Sequence, residues 1–483
     1  MTDLAFASAT DLAGRLRRRE IGALELLEHY IARVEALDGQ VNAVVVRDFD
    51  RARKDAAAAD AKLVRGEVTG PLHGLPMTVK ESFNLAGTPT TFGFAEFKDN
   101  IATSNASVVE RLTAAGAIVF GKTNVPPGLM DGQSWNPVYG RTNNPWDLAR
   151  TPGGSSGGSA AALAAGFTGL EFGSDIASSI RNPAHYCGVF GHKPSHGITP
   201  HRGHSLMEVL QPTDIAVVGP LARSVADLEL ALSLTAGPDG AAADAWTLAL
   251  PPAKPKSLKD FRVALVTDDP FAEVDAPVRA QLERLGEFLA REGAQVSVGA
   301  RPDYDSERLY VLYMILLRAA ASAGVTDEDL AQAQALSKGA SRRTRDVAVA
   351  NAYGASLPHR DWLRLDEERR RLQRLWRAFF EDYDVLLCPA LSTAAFPHSE
   401  VPPQQRTLAV NGRQVPFENQ LFWAGYAGLP WLPATAAPIG LTDQGLPVGV
   451  QIIGPPYGDL TCLRMAALLE KGYRAFEPPP GFA

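Results

Sequence analysis

The sequence feature that most constrains the fold is a glycine- and serine-rich run at residues 151–159, Thr-Pro-Gly-Gly-Ser-Ser-Gly-Gly-Ser. It leads directly into the alanine-rich segment Ser159–Ala165, which predicts a helix that ends at Gly166. A glycine loop that opens a helix gathers backbone N–H groups and hydroxyls around one point, with the positive end of the helix dipole behind them. A phosphate-binding P-loop would end in Gly-Lys-Ser/Thr, and this run contains no lysine. Because a flexible linker seldom lies between a proline-bounded turn and a helix, the run predicts an ordered loop that binds or reacts.

Short apolar runs alternate with helical segments on both sides of this loop. The apolar run Leu75–Val79 predicts a buried strand that ends at Lys80. The other segments predicted around the loop are a helix at Ser107–Ala114 and strands at Ala117–Phe120 and Thr168–Phe172. Strands that alternate with helices predict an α/β fold, with a mixed or parallel β-sheet covered by helices on both faces.

The same alternation continues after a linker predicted at residues 236–260, which is rich in Ala, Gly, Pro and Lys. Its strand–helix–strand pattern is Arg262–Val266, Val278–Arg291 and Ala294–Val298. Asn411-Gly412 predicts a two-residue hairpin turn. We therefore expect one large domain over residues 1–483, although 483 residues would allow more. Its expected parts are a helical segment at about 1–65, a core at about 70–225, an insertion at about 236–410 and a return to the sheet at about 411–475.

Composition and charge restrict the function classes. The net charge is −7, from 47 basic and 54 acidic residues without a long run of either sign, so the sequence does not indicate nucleic-acid binding. Three widely spaced cysteines, Cys187, Cys388 and Cys462, predict no disulfide framework. The sequence shows no signal peptide and no apolar stretch of the roughly 18 residues that span a membrane. We expect a soluble cytoplasmic protein that does not bind membranes.

Two further segments contain residues that can take part in chemistry. Lys80 closes a predicted apolar strand, and Ser179 lies in the turn-rich segment Ser-Asp-Ile-Ala-Ser-Ser-Ile-Arg at residues 174–181. Each residue taken singly has an ordinary structural explanation. The aliphatic part of a lysine side chain can pack on apolar surface, and serine is common in turns. A serine hydroxyl is a poor nucleophile without an adjacent base, and a lysine can be that base only when neutral. Lowering its pKa from about 10.4 to about 7–8 costs the charged form roughly 3–5 kcal/mol, which burial can supply.

Together these segments resemble the amidase signature family. That family is marked by a lysine at the end of an apolar strand, a Gly-Gly-Ser-Ser-Gly-Gly loop, and a serine 24 residues after the first serine of the loop. Here Ser155 and Ser179 are 24 residues apart. The likeness extends from about residue 5 to about residue 475. The flanking segments that share it are Gly121-Lys-Thr-Asn124, Asn144-Pro-Trp-Asp147, Gly191-His-Lys-Pro194, Gly219-Pro-Leu-Ala-Arg223 and Gly445-Leu-Pro-Val-Gly-Val-Gln451.

The resemblance implies a Ser–cis-Ser–Lys triad. Ser179 would be the nucleophile, and Ser155, which follows a cis peptide bond in the family, would pass the proton between Ser179 and Lys80. The implied oxyanion hole consists of the backbone N–H groups of Ile176, Ala177, Ser178 and Ser179, and the implied supporting residues are Ser156, Asp175 and Arg181. The implied reaction is hydrolysis of the C–N bond of a small-molecule amide through an acyl-enzyme, without a metal or cofactor.

The sequence departs from the family at Ala177-Ser178, where the family mostly has Gly-Gly. A residue with a side chain costs about 1 kcal/mol where the backbone needs a positive φ, and it narrows the space beside the nucleophile. Resemblance also places Leu129, Met130 and Asp131 in the acyl pocket. Phe422, Trp423 and Tyr426 are candidates for its wall or for the core. A homodimer is the expected assembly.

Four alternatives remain open from the sequence. Five of the nine histidines lie between His185 and His204, which would suit a zinc hydrolase or a Ser–His–Asp triad, but no His-Glu-x-x-His or Gly-x-Ser-x-Gly pattern accompanies them. The chain also resembles the A subunit of a tRNA-dependent amidotransferase, which hydrolyses glutamine inside a complex. The fourth alternative is a catalytically inactive scaffold on the same fold.

Overall fold

The computed structural model describes residues 4–206 and 212–483. Residues 1–3 of the predicted helical segment, and residues 207–211 of the predicted core, lie outside the described residues. The strands are β1 Val44–Arg47, β2 Pro76–Lys80, β3 Ile118–Thr123, β4 Trp135–Asn136, β5 Gly140–Arg141, β6 Glu171–Asp175, β7 Phe190–Lys193, β8 Val217–Ala222, β9 Arg262–Leu265, β10 Gln295–Val298, β11 Val385–Pro389, β12 Thr407–Val410, β13 Arg413–Pro416, β14 Ala434–Leu441 and β15 Pro447–Ile453.

The helices follow these strands in alternation through much of the chain. They are α1 Ala9–Arg17, α2 Ala23–Val41, α3 Phe49–Val64, α4 Ser107–Ala114, α5 Gly157–Ala164, α6 Arg181–Cys187, α7 Val225–Thr235, α8 Ala241–Ala245, α9 Ala276–Arg291, α10 Ser306–Ala320, α11 Asp327–Leu336, α12 Val347–Ala355, α13 His359–Asp382, α14 Leu421–Gly428 and α15 Asp459–Gly472. Among the helices of the described ranges, none combines the length and the apolarity of a transmembrane span.

A mixed sheet of eight strands forms the centre of the described part of the chain, in the order β10-β9-β11-β15-β14-β7-β8-β6. Strand β9 pairs in parallel with β10 and β11, and the remaining neighbours are antiparallel. A smaller sheet, β1-β3-β2, holds β2 parallel to β3. Because β9–β11 come from the predicted insertion and join the same sheet as β6–β8, the chain forms a single domain.

Helices cover both faces of the large sheet. Gly449 of β15 faces His185 of α6, whereas Gly440 of β14 faces Gln281 of α9. Gly440 is paired with Val448, which precedes Gly449, and successive residues of a strand point to opposite faces. Helices α6 and α9 therefore lie on opposite faces, which confirms the predicted α/β fold.

Two predicted elements near the glycine-rich loop are displaced along the chain. The helix begins at Gly157, two residues before its predicted start, and the predicted strand Thr168–Phe172 instead lies at Glu171–Asp175. Every residue of that strand is buried and pairs with β8, and this pairing stabilises a strand whose Gly and Asp residues disfavour one locally. The hairpin at Asn411-Gly412 forms as predicted between β12 and β13.

Candidate active site

Lys80 lies at the carboxyl end of β2, with its side chain fully buried. Its Nζ atom is 2.7 Å from Ser155 Oγ and 2.9 Å from Ser174 Oγ. Thr78 precedes Lys80 by two residues and so points to the same side of the strand, where its hydroxyl donates to Glu171 of β6 at 2.5 Å. The packing of β2 on β6 thus brings the lysine amine to the hydroxyls of two different segments.

Burial lowers the pKa of Lys80 to about 7, against the opposing influence of the carboxylates of Asp175, Glu171 and Glu81. Glu81 has the smallest influence of the three. Its side chain accepts hydrogen bonds from the backbone N–H groups of Thr91 and Phe92, at 2.6 and 3.0 Å. A substantial fraction of Lys80 is therefore neutral near pH 7 and able to accept a proton.

The glycine-rich loop holds Ser155 in contact with Lys80. The peptide bond between Gly154 and Ser155 is cis. A side chain at Gly154 would collide with the backbone of Asp131 and Gln133, and one at Gly158 would collide with the backbone of Asn124. These close approaches explain why the loop needs glycine at both positions, and they fix the direction in which Ser155 points.

Asp175 organises the turn that carries Ser179. It forms a two-point ion pair with Arg181 at 2.8 and 2.9 Å, and it accepts hydrogen bonds from the backbone N–H groups of Ser178 and Ile180 at 2.9 and 3.1 Å. Burial alone would raise the pKa of Asp175, but the guanidinium of Arg181 lowers it to about 2. Arg181 also donates to Ala424 O at 3.1 Å, which ties the turn to α14. Both predicted supporting residues therefore brace this turn.

The third predicted supporting residue, Ser156, fixes the loop to β6. Its hydroxyl donates to the carbonyl of Ser174 at 3.3 Å and accepts from the N–H of the same residue at 3.4 Å. Its backbone N–H donates to the carbonyl of Ser179 at 3.2 Å. This bond brings the turn beside the loop, although in the described residues the Ser155 and Ser179 hydroxyls share no direct hydrogen bond.

The backbone donors of the turn differ in one respect from the implied oxyanion hole. Within the described residues, the N–H groups of Ile176, Ala177 and Ser179 have no acceptor. The N–H of Ser178 is already bound to Asp175, so the implied set of four is reduced to three. Ser178 adopts a φ of 76°, in the left-handed region that favours glycine, which accounts for the usual glycine at this position.

A cavity of about 110 Å³ lies beside Ser179. The predicted pocket residues Leu129, Met130 and Asp131 line its wall, as does Ser179, which is 6% exposed. The other apolar residues of the wall are Ile176, Ala177, Leu317, Ala321, Leu391, Pro403, Phe417 and Leu421.

The aromatic candidates for this wall lie elsewhere. Phe422 and Trp423 do not line the cavity and are fully buried in the hydrophobic core, as is Tyr426. Trp423 donates its indole N–H to Ala272 O at 3.1 Å, so it faces away from the nucleophile. The preceding residues Gln420 and Leu421 line the cavity instead, because α14 turns its aromatic side chains into the core.

The family model for amidases matches residues 25–463. The chain belongs to the amidase family. It is 35% identical over 475 residues to an indoleacetamide hydrolase from Bradyrhizobium diazoefficiens, a match that covers 96% of this chain and 86% of the relative. It is also 35% identical over 485 residues to the A subunit of a glutamyl-tRNA(Gln) amidotransferase from Anaeromyxobacter sp., covering 96% and 95% of the two chains. Among solved structures, 6-aminohexanoate cyclic dimer hydrolase superposes with a TM-score of 0.80 at 26% identity, over 99% of both chains.

As a member of this family, the amidase hydrolyses carboxylic amide C–N bonds. The histidines that suggested other hydrolases have structural partners. His192 contacts Thr435 and Asp459 at 2.9 and 3.1 Å, and His185 contacts the backbone of Thr393 and Gly449. In residues 4–206 and 212–483, no three His, Cys, Asp or Glu side chains form a group that could hold a metal ion.

Sequence reasoning missed two residues of this site. Ser174 was part of a predicted turn, whereas it lies in β6 and contacts Lys80 directly. Gln420 had no motif to mark it, and only the course of the chain between β13 and α14 brings it to the cavity. The one signal for Ser174 in the sequence was that it is a polar residue directly before Asp175, in a segment that is buried in the structure.

Proposed function

We propose that this amidase acts through an acyl-enzyme, with Ser179 as the nucleophile, Ser155 as the proton relay and Lys80 as the base. The observation that carries the proposal is a fully buried amine, with its pKa lowered to about 7, placed 2.7 Å from a hydroxyl on the loop that adjoins Ser179. A lysine needs these conditions to activate a serine without histidine.

In the first half of the reaction, Ser179 Oγ attacks the amide carbonyl carbon. Its proton passes to Ser155, whose own proton passes to Lys80. The negative oxygen of the tetrahedral intermediate accepts hydrogen bonds from the open N–H groups of Ile176, Ala177 and Ser179. Protonated Lys80 then returns its proton through Ser155 to the leaving nitrogen, the C–N bond breaks, and ammonia or an amine departs.

In the second half, a water molecule attacks the ester carbonyl of the acyl-enzyme. Its proton follows the same path to Lys80 and returns to Ser179 Oγ as the carboxylic acid leaves. The gap between the two serine hydroxyls closes when substrate aligns them, since catalytic hydrogen bonds are often looser in the free enzyme.

The amidotransferase alternative makes a different demand on the cavity. Free glutamine carries an ammonium and a carboxylate, each of which needs an oppositely charged partner when it leaves water. The charged residues that line the cavity are Asp131, Arg318 and Glu418, and each is already paired within the protein, Asp131 with Arg406 and Arg318 with Glu418. This pairing favours an independent hydrolase.

We also propose that the amidase is a cytoplasmic homodimer whose substrate is a small molecule. Three buried free thiols, at Cys187, Cys388 and Cys462, suit a reducing compartment. The proposal of a homodimer is supported by the frequency of two-fold assemblies among soluble proteins. Size-exclusion chromatography with light scattering, which measures the mass in solution, tests it.

The test of the mechanism is a screen of anilides and aliphatic amides with the purified protein alone. Ser179→Ala and Lys80→Ala are expected to lose a factor of about 10³ or more in kcat. Ser233→Ala, at an exposed serine of α7, is the matched control and keeps its activity. Full activity in Ser179→Ala would overturn the assignment. Activity that appears only with glutamine and partner proteins would support the amidotransferase instead.

A further inference from the structure

We infer that Tyr313 is a positioning residue of the oxyanion hole. Its hydroxyl fixes the peptide group between Ile176 and Ala177, so that the N–H of Ala177 points at the oxygen of the reacting carbonyl. The inference deepens the proposed function and rests on it, because it takes the open N–H groups beside Ser179 as the oxyanion donors. Three observations carry it: a hydrogen bond to this peptide, the diversion of its local donor and the packing that holds the tyrosine ring.

A single peptide group connects Tyr313 to the oxyanion hole. The Tyr313 hydroxyl donates to the carbonyl of Ile176 at 3.0 Å. The N–H of the same peptide belongs to Ala177, and in the described residues it has no acceptor. Because a peptide group is planar, a bond that fixes its C=O also fixes the opposite direction of its N–H. The bond to the carbonyl also polarises the peptide, which strengthens the N–H as a donor.

The turn itself supplies no backbone donor for this carbonyl. In a helical turn, the carbonyl of Ile176 would accept from the N–H of Ile180, four residues later. That N–H donates instead to the carboxylate of Asp175 at 3.1 Å. Within residues 4–206 and 212–483, no backbone N–H donates to the Ile176 carbonyl. Tyr313 therefore replaces the local donor, from a position 137 residues further along the chain.

The peptide that carries the N–H of Ser179 is held in a different way. Its carbonyl is that of Ser178, which accepts from the backbone N–H of Asn182 at 2.7 Å. This bond lies within the turn and uses no side chain. The donor at Ser179 is thus oriented by local backbone, whereas the donor at Ala177 is oriented by the side chain of Tyr313. A substitution of Tyr313 can therefore loosen one oxyanion donor and leave the other in place.

Packing holds the Tyr313 ring in a defined position. Tyr313 lies on α10 and is fully buried. Its ring lies so close to Gly425 of α14 that a Cβ atom there would come within 3.0 Å of it. Burial raises the pKa of the Tyr313 hydroxyl well above its ordinary value, so the hydroxyl keeps the proton that it donates. Tyr313 does not line the cavity, so it acts through the peptide and does not touch the substrate.

The experiment compares Tyr313→Phe with wild type on phenylacetamide and on the fastest amide of the anilide and aliphatic screen. The variant keeps the ring and loses only the hydroxyl. We expect kcat to fall about tenfold and KM to stay within about twofold, because the oxyanion forms only in the transition state. This loss is smaller than the factor of about 10²–10³ for removal of an oxyanion donor, since the Ala177 N–H remains and is only less well directed. The rise of kcat/KM around pH 7 should not move, because Lys80 is untouched.

A trifluoromethyl ketone with the acyl group of the substrate tests the oxyanion hole directly. Ser179 Oγ bonds to the ketone carbon, its proton passes to the relay, and the ketone oxygen becomes the oxyanion of a tetrahedral adduct. Inhibition by this ketone should be about tenfold weaker in Tyr313→Phe than in wild type. Tyr353→Phe on α12 is the matched control, because this buried tyrosine loses a hydroxyl that donates to Asp361 at 2.7 Å. It should keep both kcat and inhibition by the ketone.

Three results would overturn the inference while leaving the hydrolase intact: a Tyr313→Phe variant with the kcat of wild type, a loss confined to KM, or unchanged inhibition by the ketone. A loss of kcat with a shifted pH profile would overturn it as well, because the hydroxyl would then act through Lys80. A wild type that hydrolyses no amide, or full activity in Ser179→Ala, would instead refute the proposed function, and this inference with it. Thermal unfolding verifies that both tyrosine variants are folded at the assay temperature.

Discussion

Replacing Lys80 by methionine should abolish activity and yet make the protein more stable near pH 7. The side chain keeps its length, but it no longer has to lose a proton to enter the protein interior. Burial moves the pKa of Lys80 from 10.5 to about 7. At 1.36 kcal/mol per pKa unit, and with Lys80 half protonated in the folded state, the folded state loses about 4 kcal/mol at pH 7. The substitution also removes the hydrogen bonds to Ser155 and Ser174, at about 1 kcal/mol each, which leaves a net gain of about 2 kcal/mol.

The pH dependence of this gain identifies its cause. Between pH 7 and pH 10.5 the unfolded wild-type chain holds the Lys80 proton and the folded one does not, so wild-type stability rises with pH. At pH 9 the cost of deprotonation falls to about 2 kcal/mol, which the two lost hydrogen bonds offset. The stability difference between Lys80→Met and wild type should therefore be about 2 kcal/mol at pH 7 and near zero at pH 9.

Urea unfolding followed by circular dichroism at both pH values measures this difference. Thermal unfolding gives a second readout, with a shift of about 2 °C at pH 7 for 483 residues that unfold cooperatively. Lys98→Met, at an exposed lysine, is the control and should change stability little at either pH. A Lys80→Met variant less stable than wild type at pH 7, or a difference independent of pH, would refute the reasoning that Lys80 is held neutral by burial.

Three further predictions follow from the same geometry. In the wild type, kcat/KM should rise about tenfold between pH 6 and pH 8, because Lys80 loses its proton around pH 7. Glu171→Gln should move this rise to lower pH, because Glu171 raises the pKa of the lysine. The pH profiles of both proteins with one amide substrate test this, and a rise at the same pH in the variant would contradict the role of Glu171. Ser178→Gly should raise the free energy of unfolding by about 1 kcal/mol, because glycine adopts the left-handed φ of 76° without the steric cost of a side chain. A lower free energy of unfolding in urea for the variant would contradict this explanation. Asp175→Asn should lower the free energy of unfolding by about 3–5 kcal/mol, because it leaves the buried guanidinium of Arg181 without its ion pair. An unchanged midpoint of urea unfolding would show that this ion pair does not stabilise the turn.

A low lysine pKa does not by itself mark the base. Burial also lowers the pKa of Lys122 to about 8 and that of Lys193 to about 7. Lys122 donates to Thr90 Oγ1 and a backbone carbonyl, and Lys193 donates to the carbonyls of Pro194 and Leu432. Each of these two lysines therefore donates to at least one backbone carbonyl, which has no proton to give, whereas both partners of Lys80 are serine hydroxyls, those of Ser155 and Ser174. The partner set separates the proposed base from two structural lysines.

The sequence alone determined the α/β class and the residues able to carry the chemistry. Each of the three residues lies in a short pattern that neighbouring residues in the chain define. Lys80 ends an apolar strand, Ser155 lies in a glycine-rich loop and Ser179 lies in a turn. The glycines at 154 and 158 are visible in the sequence, but the backbone contacts that require them come from residues 131, 133 and 124, more than 20 positions away.

Tertiary structure decided which of the nearby groups are available to a substrate. Ser178 offers its N–H to Asp175, and Ser174 reaches Lys80 only because β6 packs on β2. Along a helix, successive side chains point in directions about 100° apart. At the start of α14, Gln420 therefore lines the cavity while Phe422 lies in the core. Local sequence sets which residue types are present, but hydrogen-bond competition and side-chain direction depend on contacts between segments far apart in the chain.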